Sequence, residues 1–209
     1  MNDCSLAFDR GLASSSACYL DDDTFGTVDC DGRDFIPSTI VLSGNEIHVG
    51  GELRPDNTDP ILLEIAKIVG SISSDSVEEL RYRGLELPKI MFHDGNAVIE
   101  ASGRRRQSSS SVKELVLVLL QKLTSFSEDC TGESFPIISL AVPVHFTLFQ
   151  RNLIASCDLR MRLISDSCSA LLSISRRIPC LTNQKVLVLN LSESCLDLSV
   201  VKLSKDSLP

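Results

Sequence analysis

The chain has 209 residues, of which 43% are hydrophobic, enough for one good-sized domain with a packed core. Its formal net charge of −8 argues against a general affinity for nucleic acid, because such binding depends on clustered Lys and Arg side chains. The sequence has neither a long apolar run nor a signal-like N-terminus. We therefore expect a soluble protein of the cytosol that contacts neither nucleic acid nor membrane directly.

Eight cysteines in this length raise the question of a disulfide framework or a zinc site. No two of them are spaced as Cys-x-x-Cys, and no two histidines lie at ligand spacing, so a structural zinc site is not expected. In a reducing cytosol most of these residues should be buried thiols that behave as small hydrophobic side chains.

The first half of the chain is dominated by short apolar runs. Residues 5–50 alternate such runs with polar turns, which predicts a meander of short strands. The segment DPILLEIAKIVG (59–70) carries apolar residues at helical spacing and predicts a short amphipathic helix. An Asp-Gly pair between two apolar runs predicts a β-hairpin over 87–102, and the polar residues 103–111 are predicted to be a connector.

Helices and strands are predicted to alternate in the second half. Ser111 and Glu114 have capping-box spacing and precede a helical apolar stripe, which predicts the start of a helix. The elements predicted after it are a buried strand within 135–146, a helix within 147–160, a strand over 161–165, a helix over 166–177 and a hairpin over 185–203. This order indicates an α/β fold with a mixed sheet flanked by helices.

Five stretches carry a further pattern in their order and spacing. They are LAFDRGLASSSACYL (6–20), FIPSTIVLSGNEIHVGGEL (35–53), LAVPVHFTLFQRN (140–152), RLISDSCSALLS (162–173) and VLVLNLSESCLDLSVVKL (186–203). Together they resemble the nucleotide-binding domain of the 70-kDa heat-shock chaperone family, within the actin and sugar-kinase superfamily. The resemblance implies that residues 1–209 form an actin-like, ribonuclease H-like ATPase lobe, lobe I, and therefore a fragment, a truncated isoform or a reduced relative.

One branch of that family is similar in more detail. Leu196-Asp197-Leu198-Ser199-Val200 resembles the L-S-L-S-V of the atypical, ribosome-associated branch, the heat shock 70 kDa protein 14 type. RLISDSCSALL also resembles the corresponding segment of that branch. This likeness implies a J-domain co-chaperone, the ribosome and nascent chains as partners.

The segment 6–20 resembles the family's first phosphate-binding hairpin, which implies that it would contact phosphate and metal. Asp9 matches the acidic residue that holds Mg²⁺ through water, and Gly11 matches the turn glycine. Leu12 and Ala13 replace the two hydroxyl residues that follow in the family. The turn could still form, but its phosphate contacts would be reduced.

The later motifs supply the remaining candidate residues. Asp166 matches the glutamate of the family's N-E-P motif and Asp197 its last aspartate, so these two are the candidate catalytic residues. In the second hairpin Asn190 replaces an aspartate, Ser192, Glu193 and Ser194 replace three glycines, and Cys195 replaces a threonine. Side chains at the glycine positions block close approach of the backbone to a phosphate, and a glutamate there repels the anion. The resemblance implies ATP or ADP with Mg²⁺ as cofactor, whereas these substitutions predict weak binding or none.

Simpler interpretations stay open beside these. Asp9 and Asp166 are also typical of turns and helix caps, Asp197 is also typical of a solvent-facing strand position, and His145 is also typical of a packed ring. The second hairpin itself is expected to persist because its strands belong to the core.

The functional hypothesis that follows is a divergent chaperone-family protein that assists protein folding, non-catalytic or with weak ATP binding. The alternatives are an ATP-hydrolysing lobe of a full-length chaperone and an inactive actin-like or sugar-kinase-like domain. An adenosine-facing G-G-x-x-R segment in a second lobe would favour the ATPase.

Overall fold

The computed structural model describes most of the second half of the chain and parts of the first. The described residues are 5–10, 14–21, 24–29, 32, 36–37, 39–43, 46–49, 61–64, 69, 77–78, 82, 89–93, 96–102, 107–157, 161–175, 178, 183–191, 196–202 and 204.

Within these ranges the regular elements are fourteen strands and three helices of eight residues or more. The strands are β1 (Ser5–Arg10), β2 (Ser14–Asp21), β3 (Thr24–Thr27), β4 (Ile36–Pro37), β5 (Thr39–Ser43), β6 (Glu46–Val49), β7 (Ile61–Glu64), β8 (Lys89–His93), β9 (Asn96–Ser102), β10 (Gln107–Ser111), β11 (Ile137–Val142), β12 (Met161–Ser165), β13 (Lys185–Leu191) and β14 (Leu196–Lys202). The helices are α1 (Val112–Thr131), α2 (Leu148–Ala155) and α3 (Asp166–Ser175).

The main sheet has six strands of mixed direction. Its order is β12-β11-β1-β2-β3, with β4 paired to β2. Strand β1 runs parallel to β11, and β11 runs parallel to β12, whereas β1, β2 and β3 are antiparallel neighbours. Helix α2 lies in the connection between the parallel strands β11 and β12, as parallel pairing requires a crossover. The prediction of an α/β fold with a mixed sheet is confirmed.

Helix α1 is the element that the sequence predicts best. Ser111 Oγ accepts a hydrogen bond from the Glu114 backbone N–H at 3.1 Å, which caps the helix start. Gly132, with φ of 73°, ends the helix, and its N–H donates to the Glu128 carbonyl at 2.8 Å. The buried apolar side chains of the helix are Val112, Leu115, Val116, Leu119, Leu120 and Leu123. They belong to the same hydrophobic core as Leu6 and Leu140 of the main sheet.

Several other predicted elements are confirmed. Strands β8 and β9 form the hairpin expected over 87–102, with Lys89 opposite Glu100. The Lys89 ammonium lies 2.5 Å from the buried Glu100 Oε2, which accepts no other hydrogen bond from the described residues. Helices α2 and α3 and strands β11 and β12 lie within the segments predicted for them.

The helix predicted over 59–70 is wrong in its first part. Ile61–Glu64 forms β7, which pairs antiparallel with β5 so that Thr39 faces Glu64. A short apolar run fits a helix and a buried strand equally well, and the apolar β5 offers a pairing partner that decides between them. Val69 is helical, and residues 65–68 lie outside the described residues.

The connector predicted over 103–111 is wrong in its second part. Gln107–Ser111 forms β10, which pairs antiparallel with β9. A run of serines has no hydrophobic alternation, so nothing in the pattern predicts a strand. Backbone hydrogen bonding to β9 forms the strand without that pattern.

Strands β13 and β14 form the predicted hairpin as a separate two-stranded sheet. Along both strands, half-buried residues alternate with exposed ones. The expectation that the hairpin strands belong to the core is therefore wrong: one face is exposed, and the other is half-buried but contributes no residue to the hydrophobic core of the described residues. Helix α3 lies against both strands and against β12. The helix thereby joins the hairpin to the main sheet.

Candidate functional site

A cluster of polar side chains lies where α3 meets the hairpin. We define the polar cluster by its members His145, Asp166, Ser167, Asn190, Asp197 and Ser199. Strand β12 leads directly into α3, so Asp166 and Ser167 lie at the carboxyl end of that strand. Asn190 faces Asp197 across the hairpin, and Ser199 is two residues further along β14 on the same face.

Both carboxylate oxygens of Asp166 accept hydrogen bonds. Oδ1 accepts a hydrogen bond from the Ser167 backbone N–H at 2.6 Å, and Ser167 Oγ lies 3.2 Å from the same oxygen. Oδ2 accepts one from Asn190 Nδ2 at 2.9 Å. A carboxylate in the first turn of a helix is also stabilised by the helix dipole. Asp166 therefore stabilises the start of α3 and joins it to the hairpin.

Asp197 is bound by a histidine from another part of the chain. The Nδ1 atom of His145 lies 3.1 and 3.3 Å from the two Asp197 carboxylate oxygens. Because a carboxylate only accepts, Nδ1 carries the hydrogen in this contact. The Asp197 side chain is 14% exposed and that of His145 is 52% exposed. The solvent-facing interpretation of Asp197 is therefore wrong. The His145 ring is half-exposed and also packs edge-on against the Phe146 ring, with 5.6 Å between the ring centroids.

A pair of serines completes the cluster. The Ser167 hydroxyl is buried and donates to Ser199 Oγ at 2.9 Å, from the second residue of α3 to β14. Together with the Asn190 and His145 contacts, this gives the hairpin three polar links to neighbouring elements. The loop after β11 that carries His145 is itself held by Arg151, whose guanidinium donates to the carbonyls of Pro143 and Phe146 at 3.1 Å.

The structure describes the remaining candidate residues only in part. Asp9 lies in β1 opposite Ser16 of β2, as expected for the first hairpin, but its side chain lies outside the described residues. Residues 11–13 and 192–195 also lie outside them, so the positions of Gly11, Leu12, Ala13, Ser192, Glu193, Ser194 and Cys195 are not described. The structure thus brings Asp166, Asn190 and Asp197 together.

The described side chains do not by themselves form a magnesium site. In the part of the chain that the structure describes, no three His, Cys, Asp or Glu side chains gather as a set that could hold a metal ion. Asp166 and Asp197 both accept hydrogen bonds from protein donors instead. No step of nucleotide hydrolysis follows from this arrangement.

A shallow groove of about 400 Å³ lies elsewhere, between the β2–β3 region and the end of α1. Its lining residues are Tyr19, Thr27, Val28, Asp29, Gly32, Cys130 and Thr131. The Cys130 thiol lies 3.2 Å from the Asp29 carbonyl oxygen. None of the polar-cluster residues lines this groove.

No protein-family model matches the sequence. Among the described residues, no helix has both the length and the apolar character that crossing a membrane requires.

The histidine partner of Asp197 is the part of the site that sequence reasoning missed. The two residues lie 52 positions apart, and no local spacing links them. The five-motif resemblance alone could have suggested that LAVPVHF and the last hairpin meet.

Proposed function

We propose that this chain assists protein folding as a divergent member of the 70-kDa heat-shock chaperone family, without ATP turnover and with weak or no ATP binding. It would act in the cytosol with a J-domain co-chaperone, on nascent chains at the ribosome. Its fold would be a variant of the actin-like ATPase lobe.

The observation that carries the proposal is the meeting of Asp166, Asn190 and Asp197. The resemblance assigns these residues to two motifs that meet around the nucleotide phosphates. In this chain Asp166 is hydrogen-bonded to Asn190, and Asp197 lies opposite Asn190 on the hairpin. Independent motifs that meet in one cluster support a common ancestry with that site.

The contacts of the cluster support loss of the nucleotide function. A hydrated Mg²⁺ requires oxygen ligands that are free to orient its water molecules. Ser167 and Asn190 use the two oxygens of Asp166, and His145 uses those of Asp197. The cluster would then serve to fix the hairpin to α3 and to the loop after β11.

A folding assay of the full chain tests this function. A chemically denatured enzyme is diluted into buffer with the chain, with and without Mg-ATP, and its aggregation and recovered activity are followed. We expect slower aggregation and higher recovery to the same extent in both conditions, and a further gain on addition of a J-domain protein. An acidic, non-chaperone protein of similar size is the control. A chain that leaves the client unaffected, or that acts only with ATP, would contradict the proposal.

A further inference from the structure

One face of the hairpin consists of large aliphatic side chains that are exposed. We define the apolar hairpin face by its members Leu187, Leu189, Leu191, Leu196, Leu198 and Val200. Their exposed fractions range from 54% to 80%. The opposite face of the same two strands is half-buried, with helix α3 against the hairpin.

Strand register makes the apolar hairpin face continuous. Leu189 lies directly opposite Leu198 at its centre, and the other two pairs flank it on either side. Cross-strand neighbours on one face are in contact range, so the six side chains form one surface. A two-stranded sheet is marginally stable by itself, and among the described helices α3 lies against one face of this one.

The size of this face fits an interface between two copies of the chain. The exposed fractions correspond to about 600 Å² of largely apolar surface, at the upper end of the roughly 300–600 Å² of the largest patch on a typical monomer. Two such faces in contact would bury about 1,200 Å² in total, the lower limit for a specific, stable interface.

We propose that two copies of this chain associate through the apolar hairpin face, as a two-fold symmetric dimer in which the two hairpins stack face to face. Sheets with aliphatic faces pack about 10 Å apart with interdigitating side chains, and a two-fold interface needs a surface that complements itself. The six members of this face carry no charge and no hydrogen-bonding group in their side chains. The same face of a second copy can therefore cover them without leaving a polar side-chain group buried and lacking a hydrogen bond.

The charges at one end of the face determine the orientation of the second copy. Lys185 and Lys202 lie opposite each other at the end of the same face, and both are exposed. If the two hairpins stacked with these ends together, four ammonium groups would meet and repel one another. The reversed orientation places two lysines at each end of the interface. The dimer therefore has the strands of one hairpin antiparallel to the equivalent strands of the other.

This dimer goes beyond the proposed folding function and does not depend on it. No residue of the apolar hairpin face belongs to the polar cluster, and the two groups lie on opposite faces of the hairpin. Loss of nucleotide binding and loss of dimerisation can therefore be observed separately.

Sedimentation velocity of the full chain between about 1 and 100 µM tests the dimer. We expect the natural chain to form a closed dimer, and Leu189→Glu to raise its dissociation constant at least about thirtyfold, because the charge would lie at the centre of the interface. Leu148→Glu is the matched control, since Leu148 is 73% exposed on α2 and is not a member of the apolar hairpin face. It should leave the dissociation constant unchanged. Leu198→Glu repeats the test from the other strand, and circular dichroism checks that each variant is folded.

Several results would overturn the proposal. One is a natural chain that stays monomeric up to about 100 µM, and another is a dimer that neither Leu189→Glu nor Leu198→Glu weakens. Assemblies that grow with concentration instead of stopping at two copies would indicate edge-to-edge strand pairing. A monomer whose hairpin face binds a fluorescent Leu-rich peptide, with loss of binding in Leu189→Glu, would assign the face to a client segment instead.

Discussion

Asn190 shows how a single side chain changes what the polar cluster can do. As an amide it donates a hydrogen bond to Asp166 Oδ2 at 2.9 Å and carries no charge. An aspartate in its place would bring a second carboxylate to within hydrogen-bonding distance of the first. Without a cation between them, two such carboxylates repel each other. The amide is therefore the residue that lets the cluster be stable without a metal ion.

We predict that Asn190→Asp lowers the free energy of unfolding by about 1–3 kcal/mol at neutral pH in the absence of Mg²⁺, because it replaces a hydrogen bond by a repulsion. Urea denaturation at pH 7 measures the effect. Asn152→Asp on the exposed side of α2 introduces the same charge away from the cluster and should change stability by less than about 0.5 kcal/mol. Equal stability of the two variants would show that the Asn190 contact does not matter.

Cys157 links stability to pH. Burial raises the pKa of its thiol above the ordinary value, and the nearby Lys113 opposes this only in part. Because the raised pKa favours the neutral thiol in the folded chain, its contribution to stability is present below the pKa of the unfolded thiol. The contribution is lost as the pH rises through the folded value.

We therefore expect the unfolding free energy of the natural chain to fall more steeply above about pH 8.5 than that of Cys157→Ala. Denaturant titrations from pH 7 to 10 compare the two. Cys130→Ala, which removes an exposed thiol, should keep the steep slope of the natural chain. If Cys157→Ala and the natural chain had the same pH dependence, the buried thiol would not be the titrating group.

At the scale of the elements, helix α1 depends on its first residue. Ser111 ends strand β10 and caps the helix, so one side chain joins two elements. We predict that Ser111→Ala lowers the free energy of unfolding by about 1 kcal/mol, since it leaves the Glu114 N–H without its acceptor. Thermal unfolding measures the loss. Ser109→Ala, at an exposed position of the same strand, is the control, and a similar loss in both variants would contradict the capping role.

How well each element could be predicted depends on how local its determinants are. Helix α1 has its cap, its apolar stripe and its terminal glycine within one segment, so its pattern is sufficient. Strand β7 could not be predicted because its partner β5 decides between strand and helix. Strand β10 has no apolar pattern at all, and only pairing with β9 defines it.

The candidate site follows the same rule. The Asp166–Asn190 contact could be anticipated from the five-motif resemblance, which brings the two motifs together. The same resemblance also brings LAVPVHF to the last hairpin, but it does not single out the His145–Asp197 pair, because the types of these two residues fit many other roles. The first hairpin contributes its backbone pairing, while the side chain of Asp9 and residues 11–13 lie outside the described residues.

In the molecule as a whole, the hairpin is joined to other described elements by α3 and by the side chains of Asn190, Asp197 and Ser199. One of its faces lies against α3, and the other is apolar and exposed. The hairpin connects to α3 and to the loop after β11, and in the proposed dimer its exposed face would join two copies of the chain. We propose that the polar cluster serves this structural role in place of nucleotide binding.

Calorimetric titration of the folded full chain with Mg-ATP tests this proposal. The natural chain is compared with the double variant Asn190→Asp/Glu193→Gly, at a temperature where both are folded. We expect no binding heat from the natural chain and measurable binding by the variant, because the variant restores a carboxylate and a glycine of the hairpin. If neither chain gave binding heat, the loss of ATP binding would be assigned to contacts outside this hairpin. Tight binding of Mg-ATP by the natural chain would show that the hairpin still binds nucleotide and would overturn the proposal.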